Sequence, residues 1–326
     1  MPKQYLSTNG LMKHLRESGI QISGTRQKRQ LINDGYYHGY KGYRYFFKPS
    51  NKIPYTDYSQ ISVLIDLDRN LKAAFYSQLM YIETALKNIA LEVILKESKS
   101  DKFNDIFDRL ILNGRLPTNP NHDAKEEFQR KLELRNRIYA SLSGAFKNGN
   151  AMIMHFYTRD DYVPIWAIFE ILCLGEFGCF VESLQPQTRQ LLSKKVGLYQ
   201  PCDSDAKLVS KMIFMISGLR NAVAHNGIVF DTRFNRSKIS SSITACIEIE
   251  TGIKRIDFSS IVDYAILITY LMKRLCVSKS ELRRFIQSFE TTIETFRSKV
   301  PANIYMSIVH SDTKKKILEL RQFVKK

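Results

Sequence analysis

The chain has 326 residues, of which 44% are hydrophobic, so it is long and apolar enough to fold around a sizeable core. Its 49 basic and 32 acidic residues give a formal net charge of +17, which points to a polyanionic partner, either nucleic acid or an acidic membrane surface. A basic protein without such a partner is the alternative. Five cysteines without paired spacing argue against a disulfide framework and a structural zinc site.

The compartment is expected to be the cytoplasm. The first residues, Met1-Pro2-Lys3-Gln4-Tyr5, lack the apolar stretch of a secretory signal. The two most apolar runs, residues 163–174 and 261–272, are shorter than a membrane span, and each carries an acidic residue. We therefore predict core helices for these two runs and no membrane partner.

The N-terminal segment, residues 1–58, combines basic and aromatic side chains. Between residues 36 and 47 the aromatic side chains alternate with basic ones, which is typical of surfaces that stack bases and contact phosphates of single-stranded nucleic acid. The candidate RNA-binding residues are Arg26, Lys28, Arg29, Tyr36, Tyr37, Lys41 and Arg44. The alternative is that the rings belong partly to the core and partly to a small β-element, with Gly39 and Gly42 as turn residues.

Helices dominate the rest of the chain. Apolar residues in steps of three and four, with capping and stop signals, predict helices over about residues 61–95, 124–146, 164–184 and 205–225. Gly175 and Gly178 inside the third helix predict close approach of a neighbouring helix. Further helices are expected over about residues 260–276 and 279–298, with a last helix ending at Lys326.

One short stretch breaks the helical pattern. Residues 243–256 alternate in hydrophobicity around Thr251-Gly252, which predicts a minor β-hairpin. The sequence thus predicts a mainly α fold in three units. These are the basic, aromatic segment of residues 1–58, a helical core of residues 59–236, and residues 237–326 with the hairpin and basic helices packed on the core.

Residues 220–226, Arg-Asn-Ala-Val-Ala-His-Asn, place a permanent cation and a titratable imidazole on one predicted helix; we call them the Arg/His motif. At 100° per residue, Asn221 and His225 lie one turn apart on the side away from the core, and Arg220 lies at the border. The predicted core face contains Leu208, Met212, Met215, Ile216, Leu219 and Val223. A buried core histidine, or a basic residue that only interacts with the helix dipole, are the alternatives.

Small residues share the polar side of this helix. Ser217, Gly218 and Ala224 lie there with one large apolar residue, Phe214, which predicts that a second helix approaches closely. Arg115 and His122 also fit the general pattern of an arginine and a histidine with four to six residues between them, but Arg115 lies in a loop, residues 113–121, that contains Pro117 and Pro120 and ends just before His122. No regular helix would hold those two side chains in a fixed relation.

The residues around the motif resemble a known signature. Residues 219–226, followed by Phe230 and Phe234-Asn235-Arg236, are similar to the Arg-Asn-x-x-x-His signature of the HEPN superfamily and, more narrowly, to the Abi-like (AbiD/AbiF) abortive-infection proteins of bacterial phage defence. Further matches follow in family order: Gly35-Tyr36-Tyr37, Tyr40, Gly42-Tyr43, residues 67–72, Ile82-Glu83, His155, Pro164-Ile165-Trp166, Glu170 and Gly175. Lys72 stands where an arginine is common, and Asn226 where a second histidine often follows.

The resemblance implies a HEPN-type helical bundle for residues 59–236 and metal-independent RNA cleavage with no cofactor. Arg220, Asn221 and His225 would be catalytic, with Glu83 and Asn226 in supporting roles. Because members of this class bring two motifs together, the resemblance also implies a homodimer through the helix that carries the motif. His225 would act as general base or acid and Arg220 would bind the scissile phosphate, leaving 2′,3′-cyclic phosphate ends.

Two other functions are compatible with the same residues. The first is a non-catalytic RNA-binding protein that works with a small RNA. The net charge is equally compatible with a small RNA that restrains or guides a nuclease. The second is a DNA-binding regulator in which residues 19–29 form part of a helix-turn-helix. Preference for duplex DNA over RNA would favour that regulator.

Overall fold

The computed structural model describes residues 6–111, 122–198, 200–235 and 239–326 and is 74% helical, which confirms the mainly α prediction. A π-helical turn, Gly35–Lys41, and a 3-10 turn, Gln200–Cys202, supplement the α-helices. In chain order the α-helices are α1 (Thr8–Glu17), α2 (Gly24–Asp34), α3 (Tyr58–Ser98), α4 (Phe103–Leu110), α5 (His122–Lys147), α6 (Ala151–Thr158), α7 (Ile165–Ile171), α8 (Leu174–Ser183), α9 (Pro186–Val196), α10 (Leu208–Ala224), α11 (Ser241–Thr251), α12 (Ile261–Arg274), α13 (Lys279–Lys299), α14 (Ala302–Ile308) and α15 (Thr313–Lys325).

The 41-residue helix α3 organises the molecule. It begins with a capping box, in which the Asp57 carboxylate accepts the Ser59 N–H at 2.8 Å and the Gln60 side chain accepts the Asp57 N–H at 3.2 Å. Its buried residues recur in steps of three and four from Ile61 to Ala90, as predicted. Helices α4, α9, α10, α12 and α13 pack around it, so α3 connects the Arg/His motif on α10 with the C-terminal helices.

The helix α12 is buried on all sides from Ile261 through Met272, so it lies inside the core, as predicted for this apolar run. It packs against α3, α11, α13 and α15. Residues from all three predicted units contribute to one hydrophobic core, from Met12 to Val324. The described part of the chain contains no helix that combines the length and apolarity needed to cross a membrane.

The helix predicted over residues 164–184 is interrupted. The structure has two helices, α7 and α8, because Leu172 and Cys173 adopt extended backbone angles between them. A capping box starts α8, with the Glu176 carboxylate accepting the Cys173 N–H at 2.9 Å. Lys87 donates to the Leu172 carbonyl at 2.7 Å, which satisfies an acceptor at the break. These local hydrogen bonds outweigh a continuous apolar periodicity.

The predicted β-hairpin at residues 243–256 is wrong, because residues 243–251 belong to α11 and residues 252–256 form no strand. Its buried residues, Ile243, Cys246, Ile247 and Thr251, recur with helical spacing and pack towards α10 and α12. Gly252 does not form a hairpin turn: its φ of +77° ends the helix in the left-handed conformation. Tertiary packing therefore overrides the strand preference of the β-branched residues.

The small β-element considered for residues 36–47 is also absent from the described residues, apart from a single bridge between Tyr45 and Lys52. A π-helical turn continues directly from α2. Its glycines allow close packing: a Cβ atom at Gly39 would lie 2.9 Å from the Asp34 carbonyl oxygen, and one at Gly42 would lie 2.9 Å from Ile228 Cδ1. This part of the chain thus packs tightly beside the loop that follows α10.

Candidate functional site

The helix α10 positions the Arg/His motif at its C-terminal end. Leu208, Met212, Met215, Ile216 and Leu219 are buried and anchor the helix, as the helical geometry predicts. Val223, which is also expected on the core face, is half-buried. Arg220 is half-buried, while Asn221 and His225 are exposed. His225 is therefore not a core histidine. Its backbone N–H donates to the Asn221 carbonyl at 3.0 Å and closes the last turn of α10.

The residues that follow His225 end the helix sharply. Asn226 has a φ of +54°, and the Gly227 N–H donates to the Ala222 carbonyl at 2.6 Å. Lys72 on α3 donates to Asn226 Oδ1 at 2.6 Å, and Asn226 Nδ2 lies 3.3 Å from Nε2 of His38 in the π-helical turn. The N-terminal segment and α3 therefore meet beside the Arg/His motif.

Arg220 is held by Glu83, which lies on α3. Arg220 Nε donates to Glu83 Oε2 at 3.0 Å, and Glu83 Oε1 pairs with Lys87 Nζ at 3.1 Å. Glu83 is only 8% exposed, so this pair is shielded from solvent more than a surface salt bridge. Within the described part of the chain, the two Nη groups of Arg220 make no hydrogen bond. Glu83 thus fixes the guanidinium group and leaves its outer edge available to an anion.

Asp68, which is fully buried on α3, organises the loop after the motif. Its Oδ1 accepts the backbone N–H groups of Val229 and Phe230, both at 2.8 Å. Its Oδ2 accepts the Tyr43 hydroxyl at 2.8 Å and pairs with Lys72 Nζ at 3.0 Å. Burial and the neighbouring Asp68 raise the pKa of the Tyr43 hydroxyl far above its usual value, so the hydroxyl stays protonated as the donor.

Sequence reasoning did not single out Asp68 or His38 as site residues. The signal for Asp68 was present, because it falls within the apolar stripe of α3 between Leu64 and Leu71. A carboxylate at a core position is costly unless it is paired, so such a position predicts a hydrogen-bonding centre. His38 carries no comparable signal, since its contact with Asn226 depends on how the π-helical turn packs.

The predicted RNA-binding residues lie largely at the surface. Arg26, Arg29 and Arg44 are exposed, and Lys28 is half-buried. Tyr37 is 74% exposed, and Lys41 Nζ lies 4.6 Å from the centre of its ring and 5.3 Å from that of Tyr36. The structure therefore groups Tyr36, Tyr37 and Lys41 into one cluster, on the same π-helical turn as His38.

The small-residue side of α10 is partly covered by α8 of the same chain, so a second helix does approach it closely. A Cβ atom at Gly178 on α8 would lie 2.8 Å from the Phe214 ring, which confirms the predicted close helix approach. Ser217 faces Gly175 of α8, and Gly218 faces Phe234. Ala224, Asn221 and His225 remain exposed at the end of the helix.

Two further features concern alternative sites. Arg115, the competing arginine, lies outside the described residues, and His122 begins α5. Among the described residues, no three His, Cys, Asp or Glu side chains are grouped in a way that would hold a metal ion.

A family model described as Abi-like protein matches residues 29–231. The chain belongs to the Abi-like family. Membership indicates a role in abortive infection, and hence in phage defence. No curated protein and no solved structure was found to match.

The family match includes the hydrogen bonds and ion pairs described above that hold the Arg/His motif. Asp68, Glu83 and the motif itself fall within residues 29–231, as does the cluster of Tyr36, Tyr37 and Lys41. Helices α11 to α15 lie beyond the match, although they share the hydrophobic core with α3. The family region of this Abi-like protein therefore carries the candidate site, and the C-terminal helices complete its fold.

Proposed function

We propose that this Abi-like protein is a metal-independent endoribonuclease of the HEPN type that acts in phage defence. The observation that carries the proposal is the arrangement of Arg220 and His225 on one helix end, with His225 exposed and Arg220 anchored through Nε by Glu83. This geometry supports phosphate binding by the outer guanidinium edge beside a group that transfers protons.

In the proposed reaction, the ribose 2′-hydroxyl attacks the adjacent phosphorus while the bond to the 5′ oxygen breaks. His225 serves as the general base or acid, since an imidazole ring can accept a proton and donate one. Arg220 stabilises the charge that develops on the nonbridging oxygens. Asn221 orients the imidazole or bonds to the phosphate, and the products carry 2′,3′-cyclic phosphate and 5′-hydroxyl ends. DNA lacks the attacking hydroxyl and is not cut.

The proposed active form is a homodimer in which two Arg/His motifs form one composite site. Asn221, Ala224 and His225 are exposed at the end of α10, so a second copy of this helix end can approach them. Asn226 supports the site by linking the helix end to Lys72 and His38. Substrate RNA reaches the site along the neighbouring cluster of Tyr36, Tyr37 and Lys41.

The test is incubation of labelled single-stranded RNA with wild-type protein and with His225→Ala, both in EDTA. Cleavage by the wild type and its loss in the variant are expected, with unchanged thermal unfolding and RNA binding as controls for the variant. Unchanged cleavage by His225→Ala, or loss of wild-type cleavage on addition of chelator, would contradict the proposal.

The second candidate is RNA binding without catalysis, in partnership with a small RNA. The exposed Tyr37 ring beside Lys41 favours it, because stacking and a nearby cation suffice to retain single-stranded RNA. Copurification of a discrete small RNA, together with no cleavage by the wild type, would support this candidate. Preference for duplex DNA in the same binding assay would instead support the regulator with a helix-turn-helix.

A further inference from the structure

A cavity of about 420 Å³ lies where the N-terminal segment, the loop after α10 and the C-terminal helices meet. We call it the aromatic pocket. Its lining includes Phe46, Phe47, Lys48, Asn51, Phe258 and His310. The carboxylate of Asp257 also lines it and accepts the N–H and the hydroxyl of Ser259. Its size is within the range of pockets that bind small organic groups.

The backbone around the aromatic pocket is strained. Phe47, Thr232 and Phe258 line it, and all three have φ values near +60°, a region that non-glycine residues rarely adopt. Carboxylates bind two of the three backbone N–H groups: Asp231 accepts the Phe47 N–H at 2.7 Å, and Asp263 accepts the Phe258 N–H at 3.0 Å. Strain that persists in this way is concentrated at ligand-binding sites, so the wall is a built feature of the fold.

The side chains combine flat rings with polar groups. Phe46 and His310 face each other with ring centres 6.2 Å apart, and Phe47 is 53% exposed although it is a large apolar residue. Lys48 supplies a cation at the rim. The side-chain amide of Asn51 makes no hydrogen bond within the described part of the chain, so it offers both a donor and an acceptor.

Building on the proposed function, we propose that the aromatic pocket binds one unpaired nucleobase of the RNA. A base stacks on Phe47 and on the pair of Phe46 and His310, and its edge bonds to the Asn51 amide. Lys48 contacts the flanking phosphate. A purely apolar ligand would use neither the cation nor the amide, whereas rings, an amide and a cation together match a nucleotide in a chain of net charge +17.

This site gives the C-terminal helices a role in RNA recognition. Phe258 and His310 lie beyond residues 29–231, the part matched by the family model, while Phe46 and Phe47 lie within it. The pocket therefore forms only when the family region and the C-terminal part of this chain pack together. The pocket is a second contact for the same RNA, in addition to the cluster of Tyr36, Tyr37 and Lys41.

The first test is Phe47→Gly in the His225→Ala background, where RNA is bound but not cut. Glycine favours a φ of +62°, so this variant is expected to fold while it loses the stacking ring. We expect its affinity for a fluorescent single-stranded RNA to fall about tenfold, the size of one lost base stack. Phe146→Ala, which removes a 46% exposed phenylalanine from α5, is the matched control and is expected to leave affinity unchanged.

The second test is photocrosslinking of RNA that contains 5-iodouridine, with the attachment site located by mass spectrometry. Crosslinks to residues 46–51 or to His310, together with weaker binding by Phe47→Gly, are the expected result. Crosslinks elsewhere, together with full affinity in Phe47→Gly, would contradict base binding in the aromatic pocket but would leave the proposed RNA binding by the protein intact. Failure of the His225→Ala protein to bind any RNA would overturn the pocket and the proposed function together.

Discussion

Two carboxylates of α3 hold the Arg/His motif from either side. Glu83 contacts Arg220 at the start of the motif, and Asp68 binds the backbone of Val229 and Phe230 just after it. Each is protected from solvent, so each interaction is sensitive to the loss of one partner. Loss of Glu83 and loss of Asp68 are nevertheless expected to differ in effect, because Glu83 positions the Arg220 side chain and Asp68 positions the loop after α10.

Glu83→Gln is expected to slow cleavage about ten- to a hundredfold, because Arg220 loses its charged anchor and its position relative to the phosphate. Affinity for RNA is expected to change less than the rate constant. Single-turnover cleavage and equilibrium binding would measure the two effects. Glu294→Gln, which removes the partner of Arg297 on the surface of α13, is the control. A full cleavage rate in Glu83→Gln would show that the anchor is dispensable.

Asp68→Asn is expected to lower the free energy of unfolding by about 3 kcal/mol, because asparagine keeps only one accepting oxygen. Its amide nitrogen cannot accept from the Tyr43 hydroxyl, and Lys72 loses its buried carboxylate partner. Urea unfolding would measure this loss. Asp66→Asn is a matched control two residues away, since its exposed pair with Arg69 contributes less than about 1 kcal/mol. Equal effects of the two substitutions would contradict the role assigned to Asp68.

At the scale of elements, apolar spacing predicted the long helices well and local exceptions poorly. The helices α3, α5 and α10 match their predicted spans because steps of three and four extend over many residues. The break between α7 and α8 depends on one carboxylate, Glu176, that caps a helix start. Residues 243–251 form α11 and not the expected hairpin because of packing partners that are distant in the sequence, which a local sequence pattern does not show. The sequence therefore predicted the helix that carries the site, but not the neighbours that hold it.

Gly178→Ala tests the close contact of α8 with α10. A Cβ atom there would lie 2.8 Å from the Phe214 ring and 3.0 Å from the Ile213 side chain, so these side chains or the two helices must shift. We expect a net loss of about 1–2 kcal/mol in unfolding free energy despite the better helix propensity of alanine. Gly144→Ala on α5 is the control, because nothing lies within 4 Å of its added Cβ. Gly144→Ala is expected to raise the unfolding free energy by up to about 1 kcal/mol. A loss in Gly144→Ala as large as that in Gly178→Ala would contradict the role assigned to the contact between α8 and α10.

At the scale of the whole molecule, one core joins the family region to the C-terminal helices. Within the C-terminal part, the buried pair of Asp263 on α12 and Lys316 on α15 joins two of these helices, with 2.8 Å between Oδ1 and Nζ. Burial raises the pKa of the Asp263 carboxyl, while Asp263 raises that of Lys316 despite the opposing effect of burial. Because Asp263 also binds the Phe258 N–H, the same pair fixes one wall of the aromatic pocket.

The proposed homodimer predicts a specific effect of Ala224→Trp. Ala224 is exposed beside His225, so a large ring is tolerated by the fold but blocks a second helix end. We expect light scattering to show a dimer for the wild type and a monomer for the variant, with RNA binding kept and cleavage lost. Ala151→Trp at the exposed start of α6 is the control. A wild type that is monomeric and cleaves RNA would exclude the composite site.

The chemistry of the cut ends tests the central claim most directly. An RNA strand cleaved by wild-type protein in EDTA would be compared by mass spectrometry with the same strand carrying a single 2′-deoxynucleotide immediately 5′ of the scissile phosphate. The proposed mechanism predicts 2′,3′-cyclic phosphate and 5′-hydroxyl ends on the first strand, and no cleavage at the substituted position of the second. Ends with 3′-hydroxyl and 5′-phosphate groups, or continued cleavage at the deoxynucleotide, would contradict catalysis by Arg220 and His225 through the 2′-hydroxyl.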